Sequence, residues 1–249
     1  MAADATESGA STAPKSAGAP IWLMGLVAAT IVAFLAFIYL VVFTAPTEVQ
    51  MGVSQKIFYL HVPSAYGMYV GYTIAAVSGL IYLWKRSDRA DAWSIAGAEI
   101  GTLFVVIVLI TGPLWGRKAW GTFWVWDPRL TSTLLTGLIY VSFLALRSFG
   151  QVGETEKRFA AALAVVGFPL LFVIKYSVQR WSGQHPVVVS RGGGGIHPDM
   201  VPAFVMGFVV ITLLAILLIT VRVGLERARQ ELERVHIDAA TSGLLGDDR

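Results

Sequence analysis

The residues best suited to chemistry lie in one stretch, residues 115–132, which reads WGRKAWGTFWVWDPRLTS. It contains four of the eight tryptophans of the chain and one phenylalanine, with three basic side chains and one acidic side chain among them. Tryptophan prefers the interface between membrane and water, so an aromatic belt explains any single ring. An aromatic belt does not require cations, an acid or glycines between its rings. The group as a whole therefore indicates a binding surface.

Flat apolar rings beside cations suit a large flat apolar ligand with peripheral carboxylates, because stacking covers its face and Arg or Lys pairs with its acids. Haem has this chemistry. The chain has no cysteine, which excludes thiolate ligation, iron–sulfur clusters and covalent haem attachment through a C-x-x-C-H motif. Neutral imidazole is the natural ligand that remains for an iron atom.

The chain contains four histidines. His61 lies in KIFYLHVPSAY, His185 lies in QRWSGQHPVVV, His197 lies in GIHPDM, and His236 lies in a charged C-terminal segment. A single loop histidine is most often solvated or hydrogen-bonded locally. Two histidines on the face that carries the tryptophans would instead indicate a site.

The elements that must position these residues are membrane spans. The chain is 55% hydrophobic and only 14% charged, with a mean hydropathy of +0.66, whereas a soluble domain carries about 25% charge. Since about 20 apolar residues cross a bilayer, we predict an all-α integral membrane protein with six transmembrane helices. The predicted spans are residues 21–43, 62–84, 93–115, 130–146, 159–174 and 201–221.

Three regions follow from these spans: a disordered tail over residues 1–20, a six-helix membrane domain over 21–222, and a helix and tail over 223–249. With six spans, 12 of the 19 Lys and Arg residues lie on the side of both termini. The positive-inside rule places that side in the cytoplasm. The stretch 115–132, His61, His185 and His197 then face outward, whereas His236 faces inward. The second and third outer loops should lie flat over the outer ends as amphipathic caps.

Two further expectations concern charge and nucleotide chemistry. Glu99 lies inside the third span, where acids are rare enough to suggest a function. Because no basic partner is evident in the spans, we favour a neutral or snorkelling carboxyl group near the interface. The chain contains no G-x-x-x-x-G-K-[ST] phosphate loop, so it should not hydrolyse ATP itself.

The motif W-G-x-x-x-W-G-T-[FW]-W-V-W-D-P-R-L-T resembles the tryptophan-rich signature of the haem-handling proteins of cytochrome c biogenesis. Within that group, KIFYLHVPSA, the chain length and the six spans resemble the haem exporter protein C family over roughly residues 43–221. Three positions depart from the pattern: Phe123 and Tyr66 stand where Trp is usual, and His197 stands where an acid is typical.

The resemblance implies that His61 and His185 are the axial ligands of a non-covalent haem b. It implies a haem-binding surface comprising Trp115, Gly116, Trp120, Gly121, Phe123, Trp124, Trp126, Asp127 and Arg129. It further implies the bacterial inner membrane as location and four protein partners: an ABC ATPase subunit, a second membrane subunit, a small membrane peptide and a periplasmic haem chaperone. The chain would deliver haem without catalysis.

Two alternatives remain open at this point. A haem lyase would also bind apocytochrome c and form the thioether bonds, as larger relatives with more histidines do. A permease or scaffold without cofactor would carry the aromatic residues as a belt, and the purified protein would be colourless.

Overall fold

A computed structural model describes residues 18–148, 153–181, 183–185 and 195–242. These residues form six long helices and no strand. The helices are α1 Ile21–Tyr39, α2 Phe58–Lys85, α3 Asp88–Trp120, α4 Pro128–Ser148, α5 Glu154–Trp181 and α6 Val201–Thr241. Short turns of helix extend α1 over Leu40–Thr44 and precede α2 over Val53–Ile57 and α6 over Pro198–Met200. All six helices are long and apolar enough to cross a membrane, which confirms the predicted fold class.

Most helices are longer than the spans predicted from hydropathy. The third span was expected to end at Trp115, but α3 continues to Trp120 and ends at Gly121, whose φ of 85° is the left-handed conformation typical of a helix end. Residues 116–120 of the expected tryptophan loop are therefore helix. The second outer loop is reduced to residues 121–127, while most of the third lies outside the described residues.

The centre of the bundle is formed by α2 and α3, which pack closely through small residues. A Cβ atom added at Gly71 would lie 2.4 Å from the backbone nitrogen of Gly101, and one at Gly97 would lie 2.6 Å from that of Ala75. Small residues allow such close approach of helix backbones. In a membrane, the resulting van der Waals packing stabilises helix contacts, because no hydrophobic driving force acts between helices there. The helix α1 packs mainly on α6 and exposes most of its surface.

Buried ion pairs join α3, α4 and α6 at one end of the bundle. Arg147 lies 2.8 Å from Asp91 and 3.6 Å from Glu226, and all three side chains are almost fully buried. Arg222 donates to Glu99 at 2.9 Å and to Glu226 at 3.1 Å. The expectation that Glu99 lacks a basic partner was therefore wrong, because the partner comes from α6, far away in the sequence. We call this end of the bundle the ion-pair end.

Candidate functional site

At the end of the bundle opposite the ion-pair end lies a cavity of about 530 Å³. The first turns of α2 and α4 and the last turns of α3 and α5 form most of its wall, and Phe208 of α6 completes it. Its volume is in the range of sites that enclose organic ligands. Its lining is mainly apolar and aromatic, with polar groups that include His61, His185, Arg129, Lys175 and Gln179.

His61 lies in the first turn of α2 and is held by α3. Its Nδ1 atom lies 2.8 Å from the hydroxyl oxygen of Thr111, and that hydroxyl donates its own proton to the carbonyl of Ile107 at 2.6 Å. The hydroxyl must therefore accept the hydrogen bond from Nδ1–H. In a neutral imidazole this leaves the lone pair on Nε2, the arrangement in which histidine ligates a metal. Gly112 leaves room for the ring, since a Cβ atom there would lie 3.2 Å from its Cε1 atom.

The Nδ1 atom of His185 accepts a hydrogen bond, whereas that of His61 donates one. Arg129, at the start of α4, lies with Nη1 3.0 Å from the Nδ1 atom of His185. A guanidinium can only donate, so this Nδ1 accepts. The same guanidinium donates to the carbonyls of Ile174 and Lys175 at 3.2 and 3.3 Å, which fixes it against the end of α5.

The two imidazole rings lie close together although they are distant in sequence. Their centres are 6.2 Å apart, with an angle of 31° between the ring planes. A metal–imidazole bond is about 2.0 Å long, so this spacing of the ring centres leaves room for one metal atom between the two rings. His197 lies elsewhere and begins the turn Pro198–Met200, where its Nδ1 accepts from the backbone N–H of Asp199 at 3.3 Å.

Three tryptophans line the cavity. Trp115 and Trp120 meet edge to face with ring centres 5.3 Å apart, and Trp124 follows from the loop before α4. Gly116 allows this arrangement, because a Cβ atom there would lie 2.7 Å from the indole ring of Trp120. The indole N–H groups of all three are buried and find no hydrogen-bond partner among the described residues. Such donors are suited to a carboxylate or another acceptor on a ligand.

The other residues predicted for this surface do not line the cavity. Phe123 and Trp126 are 55% and 76% exposed. Asp127 caps α4, since its Oδ1 accepts from the backbone N–H of Leu130 at 2.7 Å. Gly121 ends α3, as described above.

The sequence reasoning missed several polar residues that contact or line the site. Thr111, Lys175 and Gln179 are not among the site residues expected from the sequence. One signal could have found Thr111: it precedes Trp115 by four residues and therefore shares its face of α3.

The donor set fits a haem better than a bare metal ion. The described residues contain no group of three or more His, Cys, Asp or Glu that could hold a metal. An iron atom bound by two imidazoles must therefore bring its remaining ligands with it, as an iron porphyrin does. The apolar rings of the lining would cover a porphyrin face, and Arg129, Lys175 and the three indole N–H groups would be donors for its carboxylates.

Comparison with known proteins gives consistent matches. The sequence model of a family described as "Heme exporter protein C" matches residues 10–239. Among curated proteins, the "Heme exporter protein C" of Bradyrhizobium diazoefficiens is 36% identical over 193 residues, 76% of this chain and 71% of the relative. The protein of that name from Haemophilus influenzae is 34% identical over 206 residues, 80% of this chain and 82% of the relative. The one from Escherichia coli is 41% identical over 144 residues, 57% of this chain and 58% of the relative.

Proposed function

The chain belongs to the haem exporter protein C family, and on this premise we propose that it binds haem at the outer face of a bacterial inner membrane and delivers it during cytochrome c maturation. In this proposal His61 and His185 ligate the iron. Trp115, Trp120 and Trp124 cover the porphyrin.

The observation that carries this proposal is the pair of imidazoles beside the cavity. His61 comes from the start of α2 and His185 from the loop after α5, yet their ring centres lie 6.2 Å apart. Only the folded bundle brings them together, and three indole donors without a partner among the described residues surround the same space.

The haem is cargo in this proposal, and the chain supplies binding without covalent chemistry. The recipient would be a periplasmic haem chaperone. Since the chain has no phosphate-loop motif, an ABC ATPase subunit would supply the energy, together with a second membrane subunit and a small membrane peptide.

The test is an absorption spectrum of the protein purified in detergent, with added haem. We expect the bands of low-spin, six-coordinate iron in the wild type and their loss in both His61→Ala and His185→Ala. His197→Ala is the matched control from the same outer region and should keep the wild-type spectrum. A wild type that takes up no haem would refute the proposal.

The proposed orientation can be tested with single cysteines, because the natural chain has none. Val49 is 97% exposed between α1 and α2, and Leu232 is 71% exposed beyond the ion-pair end. In intact cells, a membrane-impermeant thiol reagent should label Val49→Cys and spare Leu232→Cys. The reverse pattern would overturn the orientation and with it the outer-face site.

A further inference from the structure

The contact between Arg129 and His185 has a consequence for iron binding. A neutral imidazole has one nitrogen with a lone pair and one with a proton. Because Arg129 donates to Nδ1 at 3.0 Å, the lone pair of His185 lies on Nδ1 and is occupied by that hydrogen bond. The proton of the ring is then on Nε2.

Neither nitrogen of His185 can ligate iron while this hydrogen bond persists. Ligation through Nδ1 requires Arg129 to leave that atom. Ligation through Nε2 requires the ring proton to move to Nδ1, which then can no longer accept from a guanidinium. His61 has no such conflict, because Thr111 holds its proton on Nδ1.

We propose that Arg129 competes with iron for the lone pair of His185, and that a porphyrin carboxylate relieves this competition by taking over the guanidinium. The inference rests on the proposed function. In the haem-free protein, His61 would already be able to ligate iron. His185 would become available only when an acidic group engages Arg129.

The surroundings of Arg129 support an exchange of partners. The guanidinium lines the cavity and forms no ion pair with an acid among the residues described by the structure. Its other two hydrogen bonds go to neutral backbone carbonyls of α5. A carboxylate would be a stronger partner than a neutral imidazole, since it carries a full negative charge and its two oxygens can accept two parallel N–H bonds from one guanidinium.

This arrangement would make bis-histidine ligation depend on the carboxylates of the ligand. A porphyrin that lacks free carboxylates should be held by His61 alone, and its iron should be five-coordinate. Departure of the carboxylate would return Arg129 to His185 and weaken the second axial bond, which would favour release of the cargo.

The experiment compares haem with haem dimethyl ester, whose carboxylates are blocked, in detergent-purified full-length protein. In the wild type, we expect a six-coordinate low-spin spectrum with haem and a five-coordinate high-spin spectrum with the ester. In Arg129→Met, the ester should become six-coordinate and bind about tenfold more tightly than in the wild type. Arg117→Met is the matched control, because Arg117 lies over the Phe123 ring outside the cavity. It should behave as the wild type does.

The outcomes separate this inference from the proposed function. Failure of the wild type to bind haem would overturn both. A wild type that is six-coordinate with haem and also with the ester would overturn the role of Arg129 alone, as would an ester that stays five-coordinate in Arg129→Met. If the Arg129→Met variant cannot be purified, the comparison of haem with its dimethyl ester in the wild type still tests the role of Arg129.

Discussion

Replacing Thr111 by Val removes the hydroxyl that orients His61 and retains the shape of the side chain. The Nδ1–Oγ1 distance of 2.8 Å is that of a well-formed hydrogen bond. Without it, the ring N–H lies in a partly buried position against apolar neighbours and can turn away or change its tautomer. The variant therefore tests whether the Thr111 hydroxyl on α3 orients His61 for ligation.

The magnitude follows from the loss of one hydrogen bond to a metal ligand. If the ring turns away in the haem-free variant, returning it to the ligating position leaves a buried donor unsatisfied, which costs about 1–3 kcal/mol. At about 1.4 kcal/mol per tenfold change, this corresponds to a haem Kd raised by roughly 5- to 150-fold. Loss of comparable partners of ligating histidines lowers metal affinity by about 10- to 100-fold.

The assay is a haem titration of purified protein, followed by the Soret band, with Thr111→Ser as the matched control. Serine keeps the hydroxyl and should bind haem within a few-fold of the wild type. If Thr111→Val and Thr111→Ser weaken haem binding equally, or if Thr111→Val has no effect, the hydroxyl neither positions His61 nor fixes its tautomer.

Three further predictions concern other parts of the structure. Gly71→Ala should lower the thermal unfolding midpoint in detergent, since overpacking a tight helix contact costs about 1–3 kcal/mol; Gly25→Ala, with nothing within 4 Å of its added Cβ, should not. Trp120→Leu should raise the haem Kd about tenfold, which corresponds to about 1.4 kcal/mol. Trp126→Leu, at an exposed position, should change the Kd less than about twofold. Equal effects of the two substitutions would contradict the assignment of Trp120 to the cavity. His197→Ala should leave the haem Kd unchanged, and loss of the six-coordinate spectrum in this variant would show that ligation had been assigned to the wrong histidine of the last loop.

The sequence determined the architecture of this protein, because the length of an apolar run is a local property. Six runs long enough to cross a bilayer predict six helices without knowledge of their neighbours. The absence of cysteine likewise limited the possible iron ligands, since it is a property of composition alone. The mixture of aromatic rings and cations in residues 115–132 located one wall of the cavity.

The tertiary structure decided which side chains share one space. Residues 116–120 were expected in a loop, yet α3 continues through them and directs both Trp115 and Trp120 into the cavity. The positions of Phe123 and Trp126 outside it follow from the path of the loop after Gly121. Side-chain direction depends on where a helix ends, and hydropathy locates that end only approximately.

Pairing between distant residues was likewise decided by packing. The sequence shows no basic partner near Glu99, but α6 places Arg222 beside it. Nor does the sequence show that Thr111 lies beside His61 or that Arg129 lies beside His185. The sequence supplies these side chains at positions far apart. Only the packing of the helices at the two ends of the bundle sets the distances of about 3 Å on which these hydrogen bonds depend.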